Sequence, residues 1–318
     1  MLEVRGISKY YGNKMAIQDI SFSTEEGQIV GLLGHNGSGK STTMNIITGC
    51  LIPSEGEVWI DGISVAENPI AAKMKIGYLP EIPPVYSDMT VEEQLQFACG
   101  LRRIPRKDYA MQIENVCAYL NIMGVKKRLI QNLSKGYRQR VGFAQALIGN
   151  PPVLILDEPM VGLDPQQIME LRELIMRLKE KHTIILSSHI LTEIAVTCDR
   201  LVVLSNGRLV ADDTLNGLLQ KPPGKREWIL KADGTKEQIL AVIYGIPEVE
   251  SCLTKMDPVS GEIEYHIHTS ENVEIHRKLF TGLVQADCPI RLLQPLQNTL
   301  EDIFLKLTQD RRYERRGE

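Results

Sequence analysis

The chain has 318 residues, of which 43% are hydrophobic and 24% are charged, and it includes 25 glycines and 16 prolines. This usage is typical of globular proteins and excludes a wholly disordered, collagen-like or coiled-coil chain. A formal net charge of −4 argues against a protein that coats nucleic acid. The length predicts about two domains at roughly 150 residues each.

We expect neither a membrane-spanning helix nor a signal peptide. The longest run without Asp, Glu, Lys or Arg covers residues 141–156 and is interrupted by Asn150, Pro151 and Pro152. A spanning helix needs about 20 mostly apolar residues. The N-terminal sequence MLEVRGISKYYG contains no apolar core of a signal peptide. Action at a membrane would therefore require another chain.

Strands dominate the first part of the chain. Residues 2–7 and 17–24 alternate apolar and polar side chains, which is the period-two pattern of half-buried strands. Residues 28–33 form a nearly continuous apolar run, as expected for a strand buried on both faces. This run leads directly into the glycine-rich sequence GHNGSGKS at 34–41, and a helix is predicted to follow over 41–48.

A helical segment follows over about residues 90–149. Thr90 and Glu93 fit a capping box at the start of its first helix. Residues 108–123 and 137–148 are predicted to form two further helices.

The pattern then returns to strands. An amphipathic helix at 165–181 separates the strands predicted at 153–156 and 183–187, and a Ser-Asn-Gly turn predicts a hairpin over 201–211. Together these elements predict an α/β domain over residues 1–220, with the helical segment as an insert.

Residues 225–310 predict a second, smaller domain that follows a Lys-Pro-Pro-Gly-Lys linker at 221–225. Its elements have the order βαββαβ, which is that of the ferredoxin-like fold. They are strand 227–231, helix 236–244, strand 249–255, strand 262–268, helix 273–285 and strand 290–293. A last amphipathic helix at 299–307 carries four apolar side chains on one face, Leu300, Ile303, Phe304 and Leu307. We expect an α+β accessory domain that binds no nucleotide.

The sequence at 34–41 fits the phosphate-loop pattern Gly-x4-Gly-Lys-Ser, between a predicted strand and a predicted helix. Glycines allow the backbone N–H groups to surround a phosphate, Lys40 reaches the β- and γ-phosphates, and the Ser41 hydroxyl binds Mg²⁺. A glycine-rich turn without a ligand is the alternative. The residues expected to contact ATP are Gly34, His35, Asn36, Gly37, Ser38, Gly39, Lys40, Ser41 and Thr42.

Asp157 and Glu158 end the apolar strand 153–156. Asp157 can bind Mg²⁺ through water, and Glu158 can act as the general base toward the attacking water. A solvated or salt-bridged acid pair is the alternative. His189 follows the strand 183–187 and can contact the γ-phosphate, although by itself this histidine is a weak signal.

The sequence LSKGY at 133–137 precedes a predicted helix. Ser134 and the Gly136 amide can bind an anion at the N-terminus of that helix. An ordinary N-cap explains Ser134 equally well.

In this order the motifs resemble those of the ATP-binding subunit of an ABC transporter, over roughly residues 1–220. The matching segments are the phosphate loop 34–41, the signature-like 133–137, the Walker B segment 153–158, the D-loop 162–164 and the switch histidine His189. The resemblance implies that Tyr11 stacks on adenine, that the cofactors are ATP and Mg²⁺, and that the enzyme is an ATPase.

Three positions depart from the common family pattern. Glu81 stands where a glutamine is usual, and its carboxylate can still bind Mg²⁺ or its water but adds negative charge beside the γ-phosphate. The signature has Lys135 and Tyr137 in place of glycine and glutamine, and Met160 replaces a small polar residue. These choices, with the tail segment at 299–305, are similar to the ABC-2 export type, including gliding-motility and nitrous-oxide-reductase-maturation proteins.

The resemblance implies a second copy of the chain in a head-to-tail ATP-sandwich dimer, and a separate transmembrane permease that docks near residues 81–89 and the helical insert. It implies a cytoplasmic protein held at the inner face of the cell membrane, with no nucleic acid partner. Two alternatives are a soluble, non-transport ABC ATPase of the translation or repair type and a regulatory nucleotide-binding module. A single ATP-binding domain without a coiled coil argues against the first, and intact Glu158 and His189 argue against the second.

Overall fold

The computed structural model describes residues 2–220, 226–256, 263–269 and 275–295. The chain divides into two compact units, which are unit 1 (Met1–Leu215) and unit 2 (Asn216–Glu318). The predicted linker 221–225 and the helix 299–307 with its apolar face lie outside the described residues. The boundary near residue 220 and the accessory role of residues 225–310 therefore stay predictions.

The described part of unit 1 and the helix that follows it have an α/β architecture. The strands are β1 (Leu2–Tyr11), β2 (Lys14–Ser23), β3 (Ile29–Leu33), β4 (Glu55–Ile60), β5 (Ile63–Ser64), β6 (Ile76–Leu79), β7 (Val153–Leu156), β8 (Thr183–Ser188), β9 (Arg200–Ser205) and β10 (Arg208–Asp213). The helices are α1 (Lys40–Ile47), α2 (Pro69–Met74), α3 (Val91–Leu101), α4 (Tyr109–Tyr119), α5 (Lys135–Leu147), α6 (Pro165–Leu178), α7 (Leu191–Thr197) and α8 (Leu215–Gln220).

Two sheets organise this unit. β2, β1, β4 and β5 form an antiparallel sheet, and the larger sheet has the order β10-β9-β3-β8-β7-β6. In the larger sheet all neighbouring strands are parallel except the β9–β10 hairpin. Parallel strands end at the same edge of a sheet, so the segments that follow β3, β7 and β8 meet there.

The central strands are buried on both faces, as their apolar runs predicted. In β7, Leu154 and Leu156 belong to the core beside the helical insert, whereas Val153 and Ile155 belong to the core on the opposite face. β3 and β8 divide their side chains between the same two cores. The strand alternation therefore fixes the middle of the sheet between two apolar layers.

The helical insert contains α3, α4 and α5. The predicted capping box is present, since Thr90 Oγ1 accepts the Glu93 N–H and the Glu93 carboxylate accepts the Thr90 N–H. The helix predicted at 108–123 is shorter, because α4 lies between 3₁₀ turns at Arg106–Asp108 and Met123–Val125. The α5 helix begins at Lys135, two residues before the predicted start, with Ser134 as its N-cap.

The described part of unit 2 has the predicted βαββαβ order. Its elements are β11 (Arg226–Ala232), α9 (Lys236–Tyr244), β12 (Val249–Met256), β13 (Ile263–Thr269), α10 (His276–Gln285) and β14 (Ile290–Pro295). The strands form one antiparallel sheet in the order β12-β13-β11-β14. Side chains such as Trp228, Tyr265 and Leu279 give this sheet and its two helices a core of their own.

No described helix has the length and apolar character needed to cross a membrane.

Candidate nucleotide-binding and catalytic site

The loop between β3 and α1 depends on its glycines. Gly37 and Gly39 have φ angles of 81° and 108°, in the left-handed region that favours glycine. A Cβ on Gly39 would come 2.5 Å from Ile17 Cγ2, and one on Gly34 would overlap the Ser38 hydroxyl. The loop therefore keeps this shape only with glycine at these positions.

The Lys40 side chain lies inside the loop and bonds its backbone. Its ammonium group donates to the Gly34 carbonyl at 2.7 Å and to the His35 carbonyl at 3.4 Å, and the residue is only 6% exposed. The carbonyl oxygens hold the ammonium group inside the loop, where a buried cation attracts a phosphate anion.

Several features of the loop fit a phosphate group. The Ser38 hydroxyl is buried without a hydrogen-bond partner. The first N–H groups of α1 have no acceptor within the helix, and its first turn contains no acidic residue. His35, Asn36, Gly37 and Ser41 are exposed, so a ligand can reach the loop.

The β9–β10 turn supports the loop, which the sequence did not indicate. Asn206 and Gly207 have φ angles of 50° and 75°, as in a type I′ turn. The Gly207 N–H donates to the Ser38 carbonyl at 3.0 Å, and the Gly207 carbonyl accepts the Gln18 N–H at 2.7 Å. The turn thus ties the loop to β2.

Asp157 and Glu158 follow β7 at the same edge, and one hydroxyl binds both. Ser187, at 0% exposure, donates to Asp157 Oδ1 at 2.6 Å and accepts the Glu158 N–H at 2.9 Å. This double role of Ser187 links β8 to the end of β7. The sequence did not predict this contact, because a lone serine in a strand carries no signal.

Glu158 has a strained backbone, and two basic side chains lie beside its carboxylate. Its φ of 47° costs a non-glycine residue about 1–3 kcal/mol. His189 Nδ1 lies 2.9 Å from Glu158 Oε2, and Lys40 Nζ lies 3.6 Å from Glu158 Oε1. The structure therefore brings the predicted base, the switch histidine and the phosphate-loop lysine together.

The pKa of Asp157 is raised. Burial is the main cause, and the negative charges of Glu158 and Glu81 add to it, whereas the Ser187 hydrogen bond and Lys40 oppose it. A cation at this carboxylate would relieve the unfavourable charge. The described residues contain no cluster of three or more His, Cys, Asp or Glu side chains for a metal.

Glu81 and Tyr11 lie at the surface, whereas Thr42, in the first turn of α1, is half-buried. Glu81 is exposed, and its electrostatic effect on Asp157 places it near the acids. Tyr11 is 54% exposed, with Lys9 Nζ 5.6 Å from its ring centre. Met160, the third departure from the family pattern, is buried in the core beside the helical insert.

Ser134 and Gly136 lie apart from this cluster in their contacts. Ser134 Oγ accepts the Tyr137 N–H at 3.4 Å, and Gly136 lies against Gln167 of α6. Within the described residues no hydrogen bond or ion pair joins either of them to residues 34–41. The N-terminus of α5 is exposed at Ser134 and Lys135.

Comparisons with known proteins identify the family. Residues 17–161 match the family model described as ABC transporter. The linearmycin resistance ATP-binding protein LnrL of Bacillus subtilis is 31% identical, over 97% of this chain and 98% of that protein. The Nod factor export ATP-binding protein I of Rhizobium johnstonii is 32% identical, over 96% of this chain and 94% of that protein. A solved structure described as an ATP-binding subunit of an ABC transporter has a TM-score of 0.64 and 33% identity, and covers 69% of this chain and 92% of its own.

Proposed function

The chain belongs to the ATP-binding proteins of ABC transporters, and from this membership we propose that it powers an ABC-2 type exporter as one half of a head-to-tail ATP-sandwich dimer. Members of this family bind ATP and hydrolyse it to drive transport, so the chain is an ATPase. The proposal rests above all on the joining of Lys40, Glu158 and His189 beside the phosphate loop.

The loop and the acids divide the work of hydrolysis. The loop N–H groups, Ser38 and Lys40 bind the phosphates, and Thr42 and the exposed loop residues complete the cradle. Ser41 and Asp157 would hold Mg²⁺, with Glu81 as a further oxygen ligand, and the ion would neutralise charge on the β- and γ-phosphates. Tyr11, exposed at the end of β1, would stack on adenine.

Glu158 takes the proton of the attacking water. Its carboxylate is only 10% exposed, and Lys40 and His189 orient it. Because Nδ1 of His189 bonds Glu158, Nε2 is the ring nitrogen that can face the γ-phosphate, and it donates a hydrogen bond there when it carries a proton; the 41% exposed side chain leaves room for that contact.

The positions of Ser134, which is exposed, and of Gly136, which is half-buried, support the dimer. Their hydroxyl and amide donors would meet the γ-phosphate bound to the partner copy, since among the described residues no hydrogen bond joins them to their own loop. Closure on ATP and reopening after hydrolysis would then supply the mechanical stroke.

The permease would dock at an exposed apolar surface near the Glu81 segment. Ile82 is 81% exposed and Tyr86 is 51% exposed. The ring centres of Tyr86 and of Phe97 on α3 lie 5.7 Å apart in a T-shaped arrangement. Docking there would hold the chain at the inner face of the cell membrane, on its cytoplasmic side. Export is favoured over a translation or repair role because relatives of nearly full length are a resistance protein and an export protein.

The dimer is tested with Glu158→Gln, which keeps the phosphate cradle but removes the base. We expect this variant to form a dimer when ATP is added, since hydrolysis no longer reopens it, and light scattering measures the mass. Adding Ser134→Arg should abolish that dimer by crowding the γ-phosphate. A Glu158→Gln chain that stays monomeric at saturating ATP would contradict the sandwich, and co-purification with a polytopic membrane protein tests the permease separately.

A further inference from the structure

The helix that carries the signature also contacts the turn that carries Glu158. Gln139, on α5, donates from Nε2 to the Pro159 carbonyl at 3.1 Å, and the glutamine is only 6% exposed. Pro159 directly follows Glu158 in the chain, so this hydrogen bond acts one peptide away from the base.

A second contact from the same helix reaches the same turn. The ammonium group of Lys135 lies against the α-carbon of Gly162, where a Cβ would overlap it. Gly162 has a φ of 71°, so glycine serves both the backbone shape and the space for Lys135. Among the described residues no carboxylate forms an ion pair with Lys135.

Lys135 and Gln139 are four residues apart, so they lie on one face of α5. That face covers the turn from Glu158 to Gly162. The turn is short and tightly bonded, since the Val161 N–H donates to the Glu158 carbonyl at 3.2 Å and the Leu163 N–H to the Met160 carbonyl at 3.3 Å. A displacement at either contact is therefore transmitted to Glu158.

The base needs such support because its own backbone is strained. The φ of 47° at Glu158 persists only where the surroundings hold it. Two hydrogen bonds do so, from the Glu158 N–H to Ser187 on one side and from Gln139 to Pro159 on the other.

We infer that Gln139 and Lys135 are positioning residues for Glu158, through which the signature helix of each copy sets the geometry of that copy's own base. The inference rests on the proposed function, because it takes Glu158 as the base and the signature as the contact with the partner's nucleotide. In the dimer the helix that meets the partner's nucleotide thus also adjusts hydrolysis in its own site. The commonest signature has glycine at the position of Lys135, so this contact is a property of the present sequence.

The test separates turnover from binding in the full-length chain. Gln139→Met keeps the side-chain length but removes the donor, and Lys135→Met removes the ammonium group. We expect kcat to fall at least tenfold in Gln139→Met. In Lys135→Met we expect a fall of at least threefold, a smaller loss because Lys135 is exposed. KM for ATP should stay within about twofold in both, because the phosphate cradle is untouched.

Gln145→Met is the matched control. Gln145 lies on the same helix and accepts a hydrogen bond from Gln94 Nε2 at 2.8 Å, away from the Glu158 turn. It should unfold at a lower urea concentration but keep the parent kcat. A kcat loss in the control equal to that in Gln139→Met would reduce the contact to general helix stability and overturn the inference.

Parent-like turnover in either Gln139→Met or Lys135→Met also overturns it. Each change is then combined with Glu158→Gln, and the ATP-driven dimer is measured by light scattering. Retained dimerisation with lost turnover is the expected pattern. Absence of the dimer in Glu158→Gln alone contradicts the proposed function instead, and is read independently of the kcat comparison.

Discussion

Replacing Ser187 by alanine is expected to remove one hydrogen bond from each of the two acids of the site, Asp157 and Glu158. The hydroxyl is fully buried, accepts the Glu158 N–H at 2.9 Å and donates to Asp157 Oδ1 at 2.6 Å. A neutral hydrogen bond contributes about 1 kcal/mol and one to a charged group about 1.5–3 kcal/mol. We therefore expect the free energy of unfolding of unit 1 to fall by about 3 kcal/mol.

The loss should depend on pH in a defined direction. The pKa of Asp157 is raised by burial, so the folded chain binds this proton more tightly than the unfolded chain and loses stability as the pH rises above the ordinary value of 3.8. The Ser187 hydrogen bond lowers that pKa, and its removal raises the pKa further. The destabilisation by Ser187→Ala should accordingly be larger at pH 8 than at pH 5.

Urea unfolding followed by fluorescence measures this effect in unit 1. Trp59 and Trp228 are the two tryptophans of the chain. In a Trp228→Phe background the tryptophan fluorescence therefore comes from Trp59 in unit 1. With an m-value of about 3 kcal/mol/M, the midpoint should fall by about 1 M. The control is Ser205→Ala in β9, whose hydroxyl accepts a long 3.4 Å hydrogen bond from the exposed Asn206 side chain, and it should change stability by less than about 0.5 kcal/mol.

The kcat of the same variant should fall at least tenfold. Glu158, the proposed base, and Asp157, the proposed magnesium ligand, both lose the hydrogen bond that positions them. A Ser187→Ala chain with parent stability and parent turnover would refute the view that this hydroxyl holds the two acids in place.

Two further predictions concern the ionisable side chains of Lys40 and His182. Lys40→Ala should weaken ATP binding at least tenfold in calorimetry, because it removes the cation that the Gly34 and His35 carbonyls hold inside the loop; unchanged affinity would exclude Lys40 as a phosphate ligand. Burial lowers the pKa of His182 below its ordinary value of 6.5, and its Nδ1 lies 2.7 Å from the Pro151 carbonyl. His182 therefore binds a proton more tightly in the unfolded chain than in the folded one. The free energy of unfolding should decline below pH 6.5, by at most about 1.4 kcal/mol per pH unit. His182→Gln should flatten that decline in urea titrations at pH 7.5 and 5.5, and an unchanged slope would assign it to other groups.

The sequence predicted those parts of the site that are continuous in the chain. Residues 34–41 carry the loop shape in their own glycines, and the apolar run of 153–156 predicted a strand that ends in two acids. The Asn206-Gly207 turn was likewise predicted from the sequence, because both residues tolerate positive φ.

The missed features depend on contacts between distant residues or on short elements. The role of Ser187 exists only because β8 lies beside β7, 30 positions away in the chain. The support of Ser38 by Gly207 is of the same kind. The α2 and α7 helices and the strands between residues 55 and 79 were not predicted, since six or seven residues cover too few turns for a helical period to emerge.

Removing everything after Gln220 tests whether residues 225–310 are an accessory domain. Among the described residues, no member of the two cores of unit 1 lies beyond Leu209, and the core of unit 2 begins at Trp228. A unit whose core is complete can fold by itself. We therefore expect the fragment 1–220 to be soluble, to unfold within about 0.5 M urea of the full chain by Trp59 fluorescence, and to bind ATP with parent affinity. Its kcat or its ATP-driven dimerisation should differ from the parent if the second unit regulates the ATPase. A fragment that aggregates or loses ATP binding would show instead that unit 1 requires residues beyond 220, and would contradict an accessory role.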